Sequence, residues 1–307
     1  MSDPLDLALH FRGKFPYPLR HTMIALGIDV GGSSVKLAAL ENDHVLWIAQ
    51  SAGYEKPTRE QLTAAIRSTL KSPMPPDARV GICVPGQRDR ARRTVTHSVN
   101  IPSLNGLVLD ELVAEALNQK IAHLEIASDA VANGYDLFAT NRLTGRLLSL
   151  ALGTGVGAAV IDDGVPLMVD GESPGHIGQV DCSIEGDPVI GPDGGAGSLE
   201  GYIGVPALAK RYDADIPTIL ARLGPEDSAL KALARAIRIC HGIYCPHHVA
   251  LTGGLGIRMQ HLLPTIRQLV EKDLTRIARA GWTLLTGKDD YHAARGIARM
   301  AQAAANC

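Results

Sequence analysis

The chain has 307 residues, 46% hydrophobic and only 4% aromatic, with 30 Lys+Arg against 32 Asp+Glu and a formal net charge of −2. At about 100–200 residues per domain, this is two domains or one large one, and the apolar content excludes global disorder. The near-neutral balance gives no electrostatic case for nucleic acid or an anionic membrane as the main partner.

Residues 1–22 read as an irregular extension; early acidic residues and the lack of an unbroken apolar segment argue against a signal peptide. Ile24 to Val30 is nearly all apolar and reads as a buried strand, broken at Gly31-Gly32-Ser33-Ser34 and resumed from Val35 to Leu40 as a hairpin. A third strand is expected at His44 to Gln50 and a helix at Arg59 to Leu70. Arg79 to Val84 is a further buried strand stopped by Pro85-Gly86, and Leu109 to Asn118 a short amphipathic helix. A strand at Ile121 to Ala127 then leads through Ser128-Asp129 into a helix ending near Thr140.

The second half repeats this grammar. Arg146 to Leu152 is a strand, Gly153-Thr154-Gly155-Val156-Gly157 a turn, Ala158 to Ile161 a return strand, and Asp162-Asp163-Gly164 a tight turn. Gly186 to Gly197 is loop-like. Helices are expected at Val205 to Arg211, Ile216 to Leu223 and Asp227 to Ile243. A strand at Val249 to Thr252 is cut by Gly253-Gly254, and helices at Met259 to Ala280 and His292 to Ala305 follow. Two halves, each opening strand–glycine turn–strand, suggest a duplicated α/β fold with its boundary near 140–145.

Five cysteines (Cys83, Cys182, Cys240, Cys245, Cys307) are odd in number and scattered, which reads as reduced thiols in a cytoplasmic protein. No stretch approaches the ~18 consecutive apolar residues of a membrane span.

Three glycine loops follow buried strands: Gly31-Gly32-Ser33-Ser34, Gly153-Thr154-Gly155 and Gly253-Gly254. Glycine lets the backbone approach a ligand and turn N–H groups toward phosphate oxygens. One such loop is an ordinary tight turn as readily as a site; three in two matched halves favour a site. Asp129, at a strand end and a helix start, is either a general base in a cleft or a helix N-cap, and both roles are compatible.

In order, GIDVGGSSVK, GICVPG, SDAVAN, LALGTGVGAAVIDDG, SLEGYIGVPAL and ALTGGLG resemble the ROK family of sugar kinases and related repressors, within the actin-like, hexokinase-like and Hsp70-like ATPases. The resemblance runs from residue 24 to about 300. It implies two RNase-H-like (actin-like ATPase) domains around a central cleft: 23–142, completed by a C-terminal helix over about 292–307, and 143–291, carrying the nucleotide site. It further implies ATP and Mg²⁺ as cofactors, a small sugar or sugar-like substrate, and a homodimer or homotetramer.

The resemblance assigns Asp29, Gly31, Gly32, Ser33 and Ser34 to the first phosphate loop, with Asp29 near Mg²⁺ or its waters. Gly153, Thr154 and Gly155 become the second phosphate loop, and Gly253 and Gly254 lie against adenosine. Asp129 becomes the base toward the acceptor hydroxyl; Ser128 stands where the family has Asn. Sugar contacts are expected from Gly86, Asn100, Asn105 and Glu200, with turn chemistry an equal alternative for the two Asn.

The family's Gly-Glu-x-Gly-His and zinc-binding cysteine cluster are altered. Here the segment is Gly175-His176-Ile177-Gly178-Gln179, and residues 191–198 contain no cysteine, so no zinc site is expected. His176 is either a new substrate contact or a displaced structural residue, and Gln179 shares that acceptor pocket. Cys240-His241 and Cys245-Pro246-His247-His248 do not match a familiar zinc module and read as thiols with rim histidines. Arg88, Arg90, Arg92 and Arg93 read as a solvated hairpin that could attract an anion. GGSSVK and the absent cysteines also resemble polyphosphate-using glucokinases, which leaves the donor open.

The leading expectation is an ATP-dependent kinase for a hexose or hexose derivative. The alternatives are a non-catalytic sugar sensor, a polyol or cyclitol kinase, and a polyphosphate-using glucokinase.

Overall fold

A computed structural model describes residues 23–304, apart from 90, 92, 99, 100, 170–174, 193 and 280 and the side chains at 277 and 279. The expectations for residues 1–22, Arg90, Arg92, Asn100 and 305–307 lie outside the described residues.

The first half runs β1 (Ile24–Val30), β2 (Val35–Glu41), β3 (His44–Gln50), α1 (Arg59–Thr69), β4 (Arg79–Cys83), β5 (Gln87–Arg88), β6 (Val95–His97), α2 (Leu109–Leu117), β7 (Leu124–Ala127) and α3 (Asp129–Thr140). The second opens with β8 (Arg146–Leu152), β9 (Val156–Asp162) and β10 (Val165–Pro166). Helices α4 (Leu199–Ile203), α5 (Val205–Tyr212), α6 (Ile216–Arg222) and α7 (Ser228–Tyr244) follow. The chain continues through β11 (His248–Thr252), α8 (Gly253–Arg258), α9 (Leu263–Asp273), α10 (Arg276–Arg279), β12 (Thr283–Thr286) and α11 (His292–Ala303).

Two five-stranded sheets share one topology, β3-β2-β1-β4-β7 and β10-β9-β8-β11-β12. In each, an antiparallel meander of three strands is extended by two parallel strands. The duplication expected from the sequence is therefore present strand for strand.

Strands β1 and β8 are almost wholly buried because helices cover both of their faces. Outside the first sheet, Leu62 and Ile66 of α1 and Leu109, Leu112 and Val113 of α2 pack on Leu26, Ile28 and Ile82. Outside the second, Tyr202 and Ile237 pack on Leu148, Leu150, Val249 and Leu251. Between the sheets lie α11, against β1 and β4, and α3, against β8 and β9. This seam is built from small residues, including Cys83, Ala127, Ala130, Ala132, Ala151, Ala159 and Ala293. Glycine makes the close approach possible: a Cβ at Gly27 would overlap the Ala294 carbonyl, and one at Gly296 the Ala132 carbonyl.

The structure corrects several boundaries. The helix expected over 259–280 is a 3-10 turn at Gln260–Leu262, then α9 and α10. Leu274 takes an extended conformation (φ −74°, ψ 138°) and ends α9. Gly253-Gly254 starts α8 instead of forming a plain turn, and β12 is an edge strand where the sequence pattern suggests no element. The strand expected from Ile121 begins at Leu124, and the last helix ends at Ala303.

Candidate active site

The expected phosphate-loop residues and Asp129 lie at the carboxyl ends of the parallel strands, where open α/β sheets place their ligand crevices. Gly31–Ser34 follows β1, Asp129 follows β7, Gly153–Gly155 follows β8 and Gly253 follows β11.

The first glycine turn is braced from outside. Gly31 N–H donates to the Ser34 carbonyl (3.0 Å), the Tyr54 hydroxyl donates to the Gly31 carbonyl (2.6 Å), and Tyr54 N–H donates to the Ser33 carbonyl (2.9 Å). Gln50 Nε2 donates to Ser34 Oγ (2.9 Å). In the second turn, Gly153 N–H donates to the Gly155 carbonyl (3.0 Å), and the Gly153 carbonyl accepts from Val205 N–H at the start of α5 (2.9 Å). Among the described residues, the amides of Gly32, Ser33, Thr154 and Gly155 donate to no protein acceptor. Gly32, Ser33 and Thr154 are exposed. Rigid turns with unclaimed N–H groups suit phosphate oxygens.

Asp29, near the end of β1, is buried, and its carboxyl is pushed up to about 7. Burial is the main cause; Lys36 opposes it, while Asp129 and Asp290 add to it. Asp129 opens α3. Ser128, not Asp129, is the N-cap: its Oγ accepts from Val131 N–H (3.3 Å), so this hydroxyl is engaged in the cap. Asp129 Oδ1 accepts from Ala130 N–H (2.8 Å). Water reaches the Asp129 side chain, yet the surrounding protein raises its pKa above the ordinary carboxylate value. Desolvation is the larger effect, partly offset by the backbone N–H groups and by Arg88.

Arg88 departs from the solvated hairpin that the run of arginines suggests. It is half-buried on β5, and its charge acts on both Asp129 and the buried Cys83 thiol. Lys36, the last residue of the first glycine motif, and Tyr54 and Asp290, which no motif marks, likewise belong to this neighbourhood.

Glu200 lies in the first turn of α4, capped by Ser198. Its Oε2 accepts from Val156 N–H (3.1 Å) and packs against Gly155 and Gly178. Glu200 is thereby joined to the second glycine turn and to the 3-10 turn Ile177–Gln179, which His176 precedes; His176 and Gln179 are both exposed. Asn105 Oδ1 accepts from Ser98 N–H (2.6 Å), the turn chemistry that was one of its two readings. Gly86 has φ +104° and lies against the His97 carbonyl, joining the two sides of the small hairpin. Gly254 lies near Asp290 Oδ1 and beside Gly253, whose φ is +74°.

Among the described residues, no three His, Cys, Asp or Glu side chains stand close enough to hold a metal ion by themselves. The site nevertheless fits Mg²⁺, which keeps several waters and takes one or two carboxylates plus phosphate oxygens. Asp29 has Asp129 and Asp290 near enough to act on its carboxyl, so carboxylates of the kind Mg²⁺ takes stand beside the unclaimed amides of the glycine turns.

The chain matches relatives along nearly its whole length. It is 26% identical over 285 residues to the N-acetyl-D-glucosamine kinase of Erwinia tasmaniensis, covering 82% of this chain and 91% of that protein. The crystal structure of a ROK family glucokinase from Streptomyces griseus, in complex with glucose and AMPPNP, superposes with a TM-score of 0.69 at 19% identity, covering 91% of this chain and 99% of that one. A ROK family transcriptional regulator, a homolog of the E. coli MLC protein, gives 0.70 at 15% identity, covering 91% and 78%. These neighbours share the actin-like ATPase fold of paired sheets seen here. The ROK family pattern itself extends over residues 25–304, and the chain belongs to that family.

Proposed function

We propose that the protein is an ATP-dependent carbohydrate kinase that transfers the γ-phosphoryl group to a hydroxyl of a hexose or hexose derivative. One observation carries this reading: two braced glycine turns with unclaimed amides flank a pair of carboxylates whose pKa values are both raised. The kinase among its relatives supports the same class of reaction.

In this account the amides of Gly32, Ser33, Thr154 and Gly155 bind phosphate oxygens and hold the donor in line with the acceptor. Bound Mg²⁺, held through Asp29 and water, would supply charge neutralisation across the phosphates. Asp129 accepts the acceptor proton as the hydroxyl oxygen bonds to γ-phosphorus and the bond to the ADP oxygen breaks. Its raised pKa suits that task. Glu200, His176 and Gln179 contribute to the acceptor side, and Gly253-Gly254 to the adenosine side. We further take 23–142 and 143–291 as two domains, the first completed by the helix from residue 292, closing on the ligands in a cytoplasmic oligomer.

The test is ADP release with Mg-ATP across hexoses, N-acetylhexosamines and polyols, with polyphosphate as a second donor. Turnover with one acceptor class supports the proposal. Silence with every pair, while a sugar still raises the melting temperature, favours a sensor; the fold shared with a regulator and the altered 176–179 segment support that second reading.

A further inference from the structure

A buried ionic network lies between α3 and α11, outside the residues assigned above. Asp136, fully buried on α3, accepts three hydrogen bonds: from His292 Nδ1 (2.6 Å), Arg295 Nε (3.0 Å) and Arg299 Nε (2.8 Å). The three donors lie at i, i+3 and i+7 of α11, one stripe of that helix. Asp136 is seven residues, two turns, beyond Asp129 on α3, so both carboxylates project from one side of it.

The network also grips the loop before α11. His292 Nε2 accepts from Lys288 N–H (2.8 Å), so this nitrogen carries no proton and Nδ1–H is the donor to Asp136. Arg295 Nη1 reaches both oxygens of Asp289 (2.9 and 3.1 Å), and Asp289 Oδ1 accepts from Tyr291 N–H (2.8 Å). The next residue, Asp290, lies beside Gly254 and acts on the Asp29 carboxyl.

We propose that His292 is a positioning residue that couples the helix carrying Asp129 to the 288–290 loop beside the third glycine segment. The proposal rests on the kinase reading for Asp129 and Gly254. Its Nδ1 side holds α3, and its Nε2 side holds the loop. Buried charge is costly to desolvate, and a helix seam of small residues needs none for packing, so a network of this reach serves geometry.

Two variants divide the two bonds. His292→Asn can keep a donor to Asp136 but releases Lys288; His292→Gln can keep an acceptor for Lys288 but releases Asp136. Losing a bond of this kind corresponds to about tenfold. His292→Asn should weaken Mg-ATP binding by about that factor, read by calorimetry without any acceptor, and speed hydrogen exchange at the Lys288 amide. His292→Gln should lower kcat by about tenfold with little change in the nucleotide KM. Equal losses in both variants that merely follow a fall in melting temperature would reduce the network to structural support and overturn the proposal, as would wild-type constants in both. Absence of turnover in the wild type would strike the kinase reading alone, because the binding and exchange measurements still decide the Lys288 side.

Discussion

Asp29 and Lys36 stand directly opposite each other across the β1–β2 pair, joined by the first glycine turn. Lys36 opposes the effect of burial on the Asp29 carboxyl without cancelling it, and the carboxyl titrates at about 7. The ordinary value of 3.8 applies once the chain unfolds. Between these values the folded state holds the extra proton, so stability falls as pH rises from about 4 to 7 and is level above. Without Mg²⁺ or nucleotide, Asp29→Asn should be more stable than wild type at pH 8 by on the order of 2–4 kcal/mol, seen as a higher melting temperature, and the difference should vanish near pH 4. Melting curves across that range in EDTA check it, and equal melting at pH 8 would contradict it.

His241 predicts the opposite limb. It is buried on α7, its ring meets Trp282 edge-on at 4.9 Å, and burial lowers its pKa from 6.5. The unfolded chain takes up the proton first, so this contribution is present above pH 6.5 and is lost as pH falls below it. His241→Phe should flatten the decline in melting temperature between pH 6.5 and 5, while an unchanged slope would show that another group is responsible.

The α3–α11 crossing gives a packing prediction. A Cβ at Gly296 would overlap the Ala132 backbone carbonyl, which cannot swing aside as a side chain can. Gly296→Ala should destabilise the protein by about 2–3 kcal/mol, read from denaturant unfolding. A loss under 0.5 kcal/mol, about what a surface substitution gives, would mean the helices pack further apart than described.

Much of this architecture could be read in the chain. The paired strand–glycine turn–strand units were legible because β1 and β8 are apolar on both faces and stop at glycine. What was not legible depends on tertiary neighbours. Strand β12 is four residues at a sheet edge and gains its identity by pairing with β11. The split of the 259–280 segment hinges on Leu274, an apolar residue that continues the helical pattern while leaving helical geometry. Arg88 sits in a run of arginines, and only the return of β5 and β6 over the end of β4 brings its charge to Asp129. Asp136 and His292 are 156 residues apart, and no local spacing connects them.

The central claim is that Asp129 moves the acceptor proton. The most direct measurement is phosphoryl transfer from Mg-ATP by wild type and Asp129→Asn on the best acceptor, with nucleotide affinity measured alongside. The account predicts a fall in kcat of about 10²–10⁴-fold in the variant, with nucleotide affinity nearly unchanged. Near-wild-type turnover by Asp129→Asn would contradict it.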